Sequence, residues 1–123
     1  MQVKRVVTAQ DEGVIVSPDG SRQQIEGSTM MGLGYALTEE VHFRGGEVLE
    51  RNFDSFELPR FSWLPRIETI LIDNPDVPAS GCGEPPIVGM GAVVANAIHD
   101  ATGARLLQLP MTPARIKAAL ERM

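Results

Sequence analysis

An α/β (α+β) fold with a mixed β-sheet and three helices, in one domain over residues 1–123, is predicted by three observations on this sequence. Short β-branched runs, Val3 to Thr8 and Ile67 to Ile72, are separated by longer segments whose apolar residues recur near a 3.6-residue period. Those longer segments carry helix punctuation, with proline in the first turn and glycine at the end. Between the elements lie polar turns such as Asp73-Asn74-Pro75-Asp76, built from residues that favour chain reversal. Strands and helices interleaved in this way pack as sheet and helix layers.

Taken in order, Val3 to Thr8 and Val14 to Val16 flank Asp11-Glu12-Gly13, which predicts a hairpin or two strands. Ser17-Pro18-Asp19-Gly20 reads as a turn. Ser21 and Gln24 stand at capping-box spacing, so a helix is expected from about Arg22 to Val41, with Ile25, Thr29, Leu33, Ala36, Leu37 and Val41 as its core stripe. Gly27, Gly32 and Gly34 fall inside that helix. Each costs about 1 kcal/mol relative to alanine, so close approach of another backbone or of a ligand is expected there. Met30 and Met31 suit gap-filling in the core.

His42 to Leu49 predicts a hairpin turning at Gly45-Gly46, and Arg51 to Leu58 a further extended run. Pro59 and Pro65 bracket a loop that holds Trp63. The second helix, about Pro86 to Thr102, is apolar on nearly every side and is expected to be buried, with Gly103 as its stop. Arg105 to Leu109 reads as a short strand. Thr112-Pro113 is an N-cap with proline at the first helical position, opening a last helix with Ile116, Leu120 and Met123 on one side.

Composition narrows the functional classes. The net charge of −5, with both signs interspersed, argues against a nucleic-acid surface. A single cysteine excludes an internal disulfide and any multi-cysteine zinc or iron–sulfur site. No apolar stretch is long enough for membrane insertion. Met1-Gln2-Val3-Lys4-Arg5 leads straight into a strand-like run, which predicts no signal peptide and a piece cut from a longer polypeptide. His42 and His99 read as an exposed strand residue and a helix-surface residue, without a partner at metal-ligand spacing.

The chemistry concentrates in Gly81-Cys82-Gly83-Glu84-Pro85-Pro86. Its glycines let a ligand approach the backbone closely, and its prolines fit a helix's first turn. Glu84 is the one carboxylate between Asp76 and Asp100. At the mouth of an apolar helix it is either a cap or a working acid/base. Cys82 reads either as a small buried hydrophobe or as an exposed, oxidation-prone thiol.

Gln24-Ile25-Glu26-Gly27, continuing through Gly32-Leu33-Gly34 to Glu39-Glu40, resembles the Gln-Ile-Glu-Gly helix of the molybdenum hydroxylases. These are the xanthine dehydrogenase, aldehyde oxidase and isoquinoline 1-oxidoreductase enzymes. Gly83-Glu84-Pro85-Pro86, with Ala95-Asn96-Ala97-Ile98 and Asp100-Ala101-Thr102-Gly103, resembles the same family's C-terminal glutamate motif, and Leu109 to Pro113 its closing segment. Asn52-Phe53 and Pro59 to Ile67 are similar to the isoquinoline-type and nicotinate-type large subunits.

The resemblance implies that this chain is the C-terminal part of a molybdopterin-binding large subunit. The parent enzyme would hydroxylate an N-heterocycle or aldehyde with water as oxygen source. Its cofactor would be molybdenum-molybdopterin, in the cytosine dinucleotide form in bacteria, with none bound to the isolated chain. Glu84 matches the family's general base, and Gln24 a glutamine whose amide contacts the cofactor; the capping-box role beside Ser21 remains its alternative. Gly81, Cys82 and Gly83 would line the cofactor with backbone, although Cys82 departs from the valine or glycine often found there. The implied partners are the upstream part of the same subunit, an iron–sulfur small subunit and the small-molecule substrate, and the chain alone is expected to be inactive. The alternative is a stand-alone interaction or ligand-binding domain that keeps the fold without catalysis.

Overall fold

A computed structural model describes residues 1–123 and runs β1 (Arg5–Asp11), α1 (Pro18–Leu37), β2 (Phe43–Arg44), β3 (Glu47–Val48), a 3-10 turn at Phe61–Trp63, β4 (Arg66–Ile72), α2 (Pro85–Thr102) and α3 (Pro113–Leu120). β1 pairs in parallel with β4, from Arg5 opposite Arg66 to Asp11 opposite Ile72, and the crossover between them carries α1. Arg5 grips the neighbouring strand through Nε and Nη2, each donating to a Glu68 oxygen at 2.8 Å. β2 and β3 form a separate antiparallel pair. Their turn residues, Gly45 (φ 60°) and Gly46 (φ 84°), both take the left-handed conformation that suits a tight hairpin. The mixed pairing is thus divided between a parallel pair and an antiparallel pair.

The core is where α1, α2, β1 and the Ala104–Met111 segment meet: Val6, Leu33, Ala36, Met90, Val94, Ile98, Ala104, Leu106 and Met111. Gly32 lets α2 lie almost on the α1 backbone, since a Cβ there would sit 2.7 Å from Met90 Cβ and 3.3 Å from Ile87 Cα. Gly34 likewise makes room for Glu39 and for Pro59, whose Cγ would lie 2.9 Å from its Cβ. Thr112 caps α3, its hydroxyl accepting from the Arg115 amide at 3.3 Å. Arg115 then ties α3 to the chain after α1, donating to Glu40 Oε1 at 2.8 Å and to the Pro110 carbonyl at 2.9 Å.

Several sequence expectations are corrected. Val14 to Val16 forms no strand, because the partner of β1 is the distant β4 and the Val14 amide goes instead to the Val77 carbonyl at 3.0 Å. The helix begins at Pro18, with Ser17 at the N-cap, and ends at Leu37, so Val41 is exposed beyond it. Arg51 to Leu58 curls into a turn in which the Ser55 and Phe56 amides donate to the Asn52 carbonyl. Arg105 to Leu109 finds no strand partner; it buries Leu106 and leaves Leu107 94% exposed. Met31 is exposed while Met30 packs on the core, and Gly27 faces open space. α2 buries only Met90, Val94 and Ile98, leaving Val88 87% exposed. Eighteen residues of nearly uniform apolarity cannot all be covered by the α1, β1 and α3 surfaces available. No helix is long and apolar enough to cross a membrane.

Candidate functional site

The glycine turn is positioned by a loop that β4 delivers and that the end of β1 holds. Gly13 (φ 73°) packs against this loop so tightly that a Cβ would lie 2.6 Å from the Val77 carbonyl oxygen. The Ser80 amide donates to the Glu12 carbonyl at 2.8 Å, and the Ser80 hydroxyl to the same oxygen at 3.2 Å. Asp11 accepts from the Gly13 amide and from Asn74 Nδ2, both at 2.9 Å. The Gly13 amide first, and Asn74 second, hold the Asp11 carboxyl below the usual carboxylate range.

On the facing side, α1 contributes its first turns. Ser21 donates to Glu12 Oε1, so its hydroxyl caps nothing. With the N-cap at Ser17, Ser21 and Gln24 do not form a capping box, and that reading of Gln24 is corrected. One helical turn after Ser21, Gln24 brings its amide to the glycine turn, with Nε2 3.9 Å from where a Gly83 Cβ would be. The two sequence segments that carry the family resemblance therefore meet across the start of α1 and the start of α2. Between them lies a cleft of about 410 Å³ lined by Glu12, Ser17, Ser21, Gln24, Ser80 and Cys82, among others. Gly81 is open to approach, with nothing within 4 Å of a would-be Cβ. Cys82 is a free, half-buried thiol.

Glu84 occupies the N-cap position of α2 but makes no side-chain cap hydrogen bond, and its side chain is exposed. Pro85 and Pro86 bring no amide donor to the first two helical positions, and the next amide, that of Ile87, donates to the Glu84 main-chain carbonyl at 3.2 Å. The carboxylate is left free at the end of the glycine turn, next to the residues that line the cleft. It does not line the cleft itself.

Sequence reasoning missed Glu12. It is buried at 4% exposure and links the end of β1 to α1 and to the Ser80 loop, whereas Asp11-Glu12-Gly13 reads locally as a hairpin turn. A left-handed glycine serves a hairpin and a close approach equally well, so no local signal separates the two. The far end of α1 holds a second polar cluster. His42 Nδ1 lies 2.7 Å from Glu50 Oε1, and its Nε2 lies 3.6 Å from Glu40 Oε2. His42 stands just before β2, and neither it nor His99 belongs to a group able to hold a metal. The Arg115 hydrogen bond is the main influence holding the Glu40 carboxyl low, whereas burial pushes Glu39 up.

Residues 1–65 match the family described as the molybdopterin cofactor-binding domain. A nicotinate dehydrogenase chain of Pseudomonas putida is 37% identical to this one over 96% of its length and 10% of the relative's. The beta chain of isoquinoline 1-oxidoreductase from Brevundimonas diminuta is 34% identical over 93% of this chain and 14% of its own. The crystal structure of quinoline 2-oxidoreductase from Pseudomonas putida 86 superposes with a TM-score of 0.87 at 23% identity, over 98% of this chain and 16% of that one, which shows a shared fold. The chain thus spans only a small part of the relatives it matches.

Proposed function

The chain belongs to the molybdopterin-binding part of the molybdenum hydroxylase family, and on that premise we propose that it is the C-terminal portion of a large subunit in which Gln24, Gly81, Cys82 and Gly83 contact the cofactor and Glu84 is the general base. The reading rests above all on one observation: Gln24 and the Gly81–Gly83 turn, far apart in sequence, face each other with Glu84 free beside them.

The residues fit the group. A pterin with its attached phosphate needs amide-type hydrogen bonds and close backbone approach. The cleft offers Gln24 and Cys82, and beside it Gly81 leaves open space where a side chain would otherwise stand. When bound, the molybdenum of this cofactor supplies the two-electron oxidation chemistry. The protein's own work is then positional and acid–base. Gln24 orients the cofactor by hydrogen bonding. The Gly81–Gly83 backbone sets how near it comes. The Glu84 carboxylate would accept the proton from the water-derived oxygen as that oxygen bonds to an electron-poor carbon of an N-heterocycle or aldehyde, and the electron pair of the carbon's broken C–H bond would go to the two-electron acceptor that the molybdenum supplies. The cytosine dinucleotide form of the cofactor and an iron–sulfur small subunit as electron outlet complete this reading.

The exposed apolar face of α2, with Val88 and Val93, fits docking against the upstream part of the same subunit. The chain alone, with two cofactor-contacting segments, has no complete site and no turnover. Glu84→Gln in the assembled enzyme tests the assignment. The swap keeps size and removes the accepting charge, so reduction of the enzyme by substrate slows by about 10²–10⁴-fold with molybdenum content unchanged. Normal reduction kinetics with a lowered melting temperature would show instead that Glu84 serves only the helix end.

A further inference from the structure

Glu12 is a carboxylate at 4% exposure that lies in neither a strand nor a helix. Burial of such a group is unfavourable unless its oxygens are hydrogen-bonded. Both are: Oε2 accepts from Gln10 Nε2 at 3.0 Å, and Oε1 accepts from the Ser21 hydroxyl. Its main-chain oxygen takes two further bonds, from the amide and the hydroxyl of Ser80. The end of β1, the first turns of α1 and the loop entering the glycine turn therefore converge on this one residue. Ser21 precedes Gln24 by one helical turn, and Ser80 directly precedes Gly81. A same-sized apolar side chain could fill the space but could not take a donor from each side.

We propose that Glu12 is a positioning residue of the cofactor cradle, fixing the Gly81–Gly83 turn relative to Gln24. This rests on the reading of those residues as cofactor contacts and adds what sets the distance between them. The main-chain bonds to Ser80 hold the loop to the strand end, and the side chain holds the strand end to α1. Together they make one rigid path from the Gln24 turn of α1 to Gly81. Gln10 Oε1 is buried and unpartnered. A Glu12→Gln amide could donate to that atom after a flip of the Gln10 amide, while its own oxygen still accepts from Ser21. The glutamine variant keeps the path; Glu12→Ala cuts it.

Cys82 is the single cysteine of the chain and stands in the turn in question, so its labelling by a maleimide reads the turn directly. In the cofactor-free chain, Glu12→Ala should label at least about tenfold faster than wild type, as expected when a buried hydrogen-bonded anchor is lost, and Glu12→Gln should stay within about twofold. The control is Val94→Ala, a cavity in α2 at a residue 5% exposed: with an equal or larger fall in melting temperature, its labelling should stay within about twofold of wild type. Labelling of Glu12→Ala that matches wild type, or that Val94→Ala reproduces at the same melting temperature, overturns the proposal. Should Glu12→Ala not fold, Ser21→Ala removes only the α1 end of the path, and labelling of that variant at the wild-type rate overturns it equally. In the assembled enzyme, molybdenum measured by mass spectrometry should fall in Glu12→Ala and be retained in Glu12→Gln. Fast Cys82 labelling of Glu12→Ala with full molybdenum content would support the tethering role of Glu12 but overturn the reading of the turn as a cofactor contact.

Discussion

Gly32→Ala and Gly27→Ala make the same chemical change in the same helix and should move stability in opposite directions. At Gly27 a Cβ meets nothing within 4 Å, so alanine brings its better helix propensity, about 0.5–1 kcal/mol of stabilisation. At Gly32 the same gain is opposed by a Cβ 2.7 Å from Met90 Cβ, 3.1 Å from Met90 Cγ and 3.3 Å from Ile87 Cα. Carbon pairs rest at about 3.5–4.0 Å, so α2 must move away by roughly an ångström. Neither Met90 Cβ nor Ile87 Cα is the free end of a flexible side chain that could swing aside. Overpacking of this kind costs about 1–3 kcal/mol. Because the propensity term is common to both variants, their difference isolates that cost: Gly32→Ala should be about 1–3 kcal/mol less stable than Gly27→Ala. Urea unfolding of the chain followed by circular dichroism, with equal slopes for both variants, reads the difference directly. Equal stabilisation by the two alanines would refute the close α1–α2 approach.

Thr112→Ala should destabilise the chain by about 1 kcal/mol by freeing the Arg115 amide, with Thr112→Ser recovering most of it in a thermal melt. Stability should fall on acidification. The Glu68, Glu40 and Glu50 carboxyls are held below their ordinary range, chiefly by hydrogen bonds from the Arg5 side chain, the Arg115 side chain and the His42 amide respectively. A lowered folded-state value gives stability that is present above the unfolded-state value and lost as pH falls through the folded one, so the loss lies on the acid side of about pH 4. Glu39, raised by burial, acts with the opposite sign, and Glu68→Gln should flatten the acid limb of the urea midpoint against pH; an unchanged limb refutes the assignment. The uncovered α2 face should bind a hydrophobic dye or self-associate in analytical ultracentrifugation, and a strictly monomeric, dye-silent chain would count against docking there.

The elements legible in the sequence are those whose signal is local. β4 follows from a β-branched run, and the β2–β3 hairpin from two adjacent glycines that both take positive φ. The ends of α2 and α3 follow from proline in the first turn, with Gly103 (φ 80°) and Thr112 as their capping residues. The start of α1 is not legible in the same way, because Ser17-Pro18-Asp19-Gly20 satisfies turn chemistry and helix N-terminal chemistry alike.

The sequence by itself carried the family resemblance, since the motifs around Gln24 and Glu84 are strings of residue types that can be read without a fold. The tertiary structure decided what those strings do to each other. Pairing of β1 with β4 rather than with Val14 to Val16 depends on a partner tens of residues away, and it is this pairing that carries Glu12 into the interior between Ser21 and Ser80. Whether Glu84 caps α2 turned on the donors left at that helix end. Whether α2 is buried turned on how much surface the rest of the chain could lay over it. Hydrogen-bond partners, register and burial are relations between distant segments, and local sequence carries no term for them.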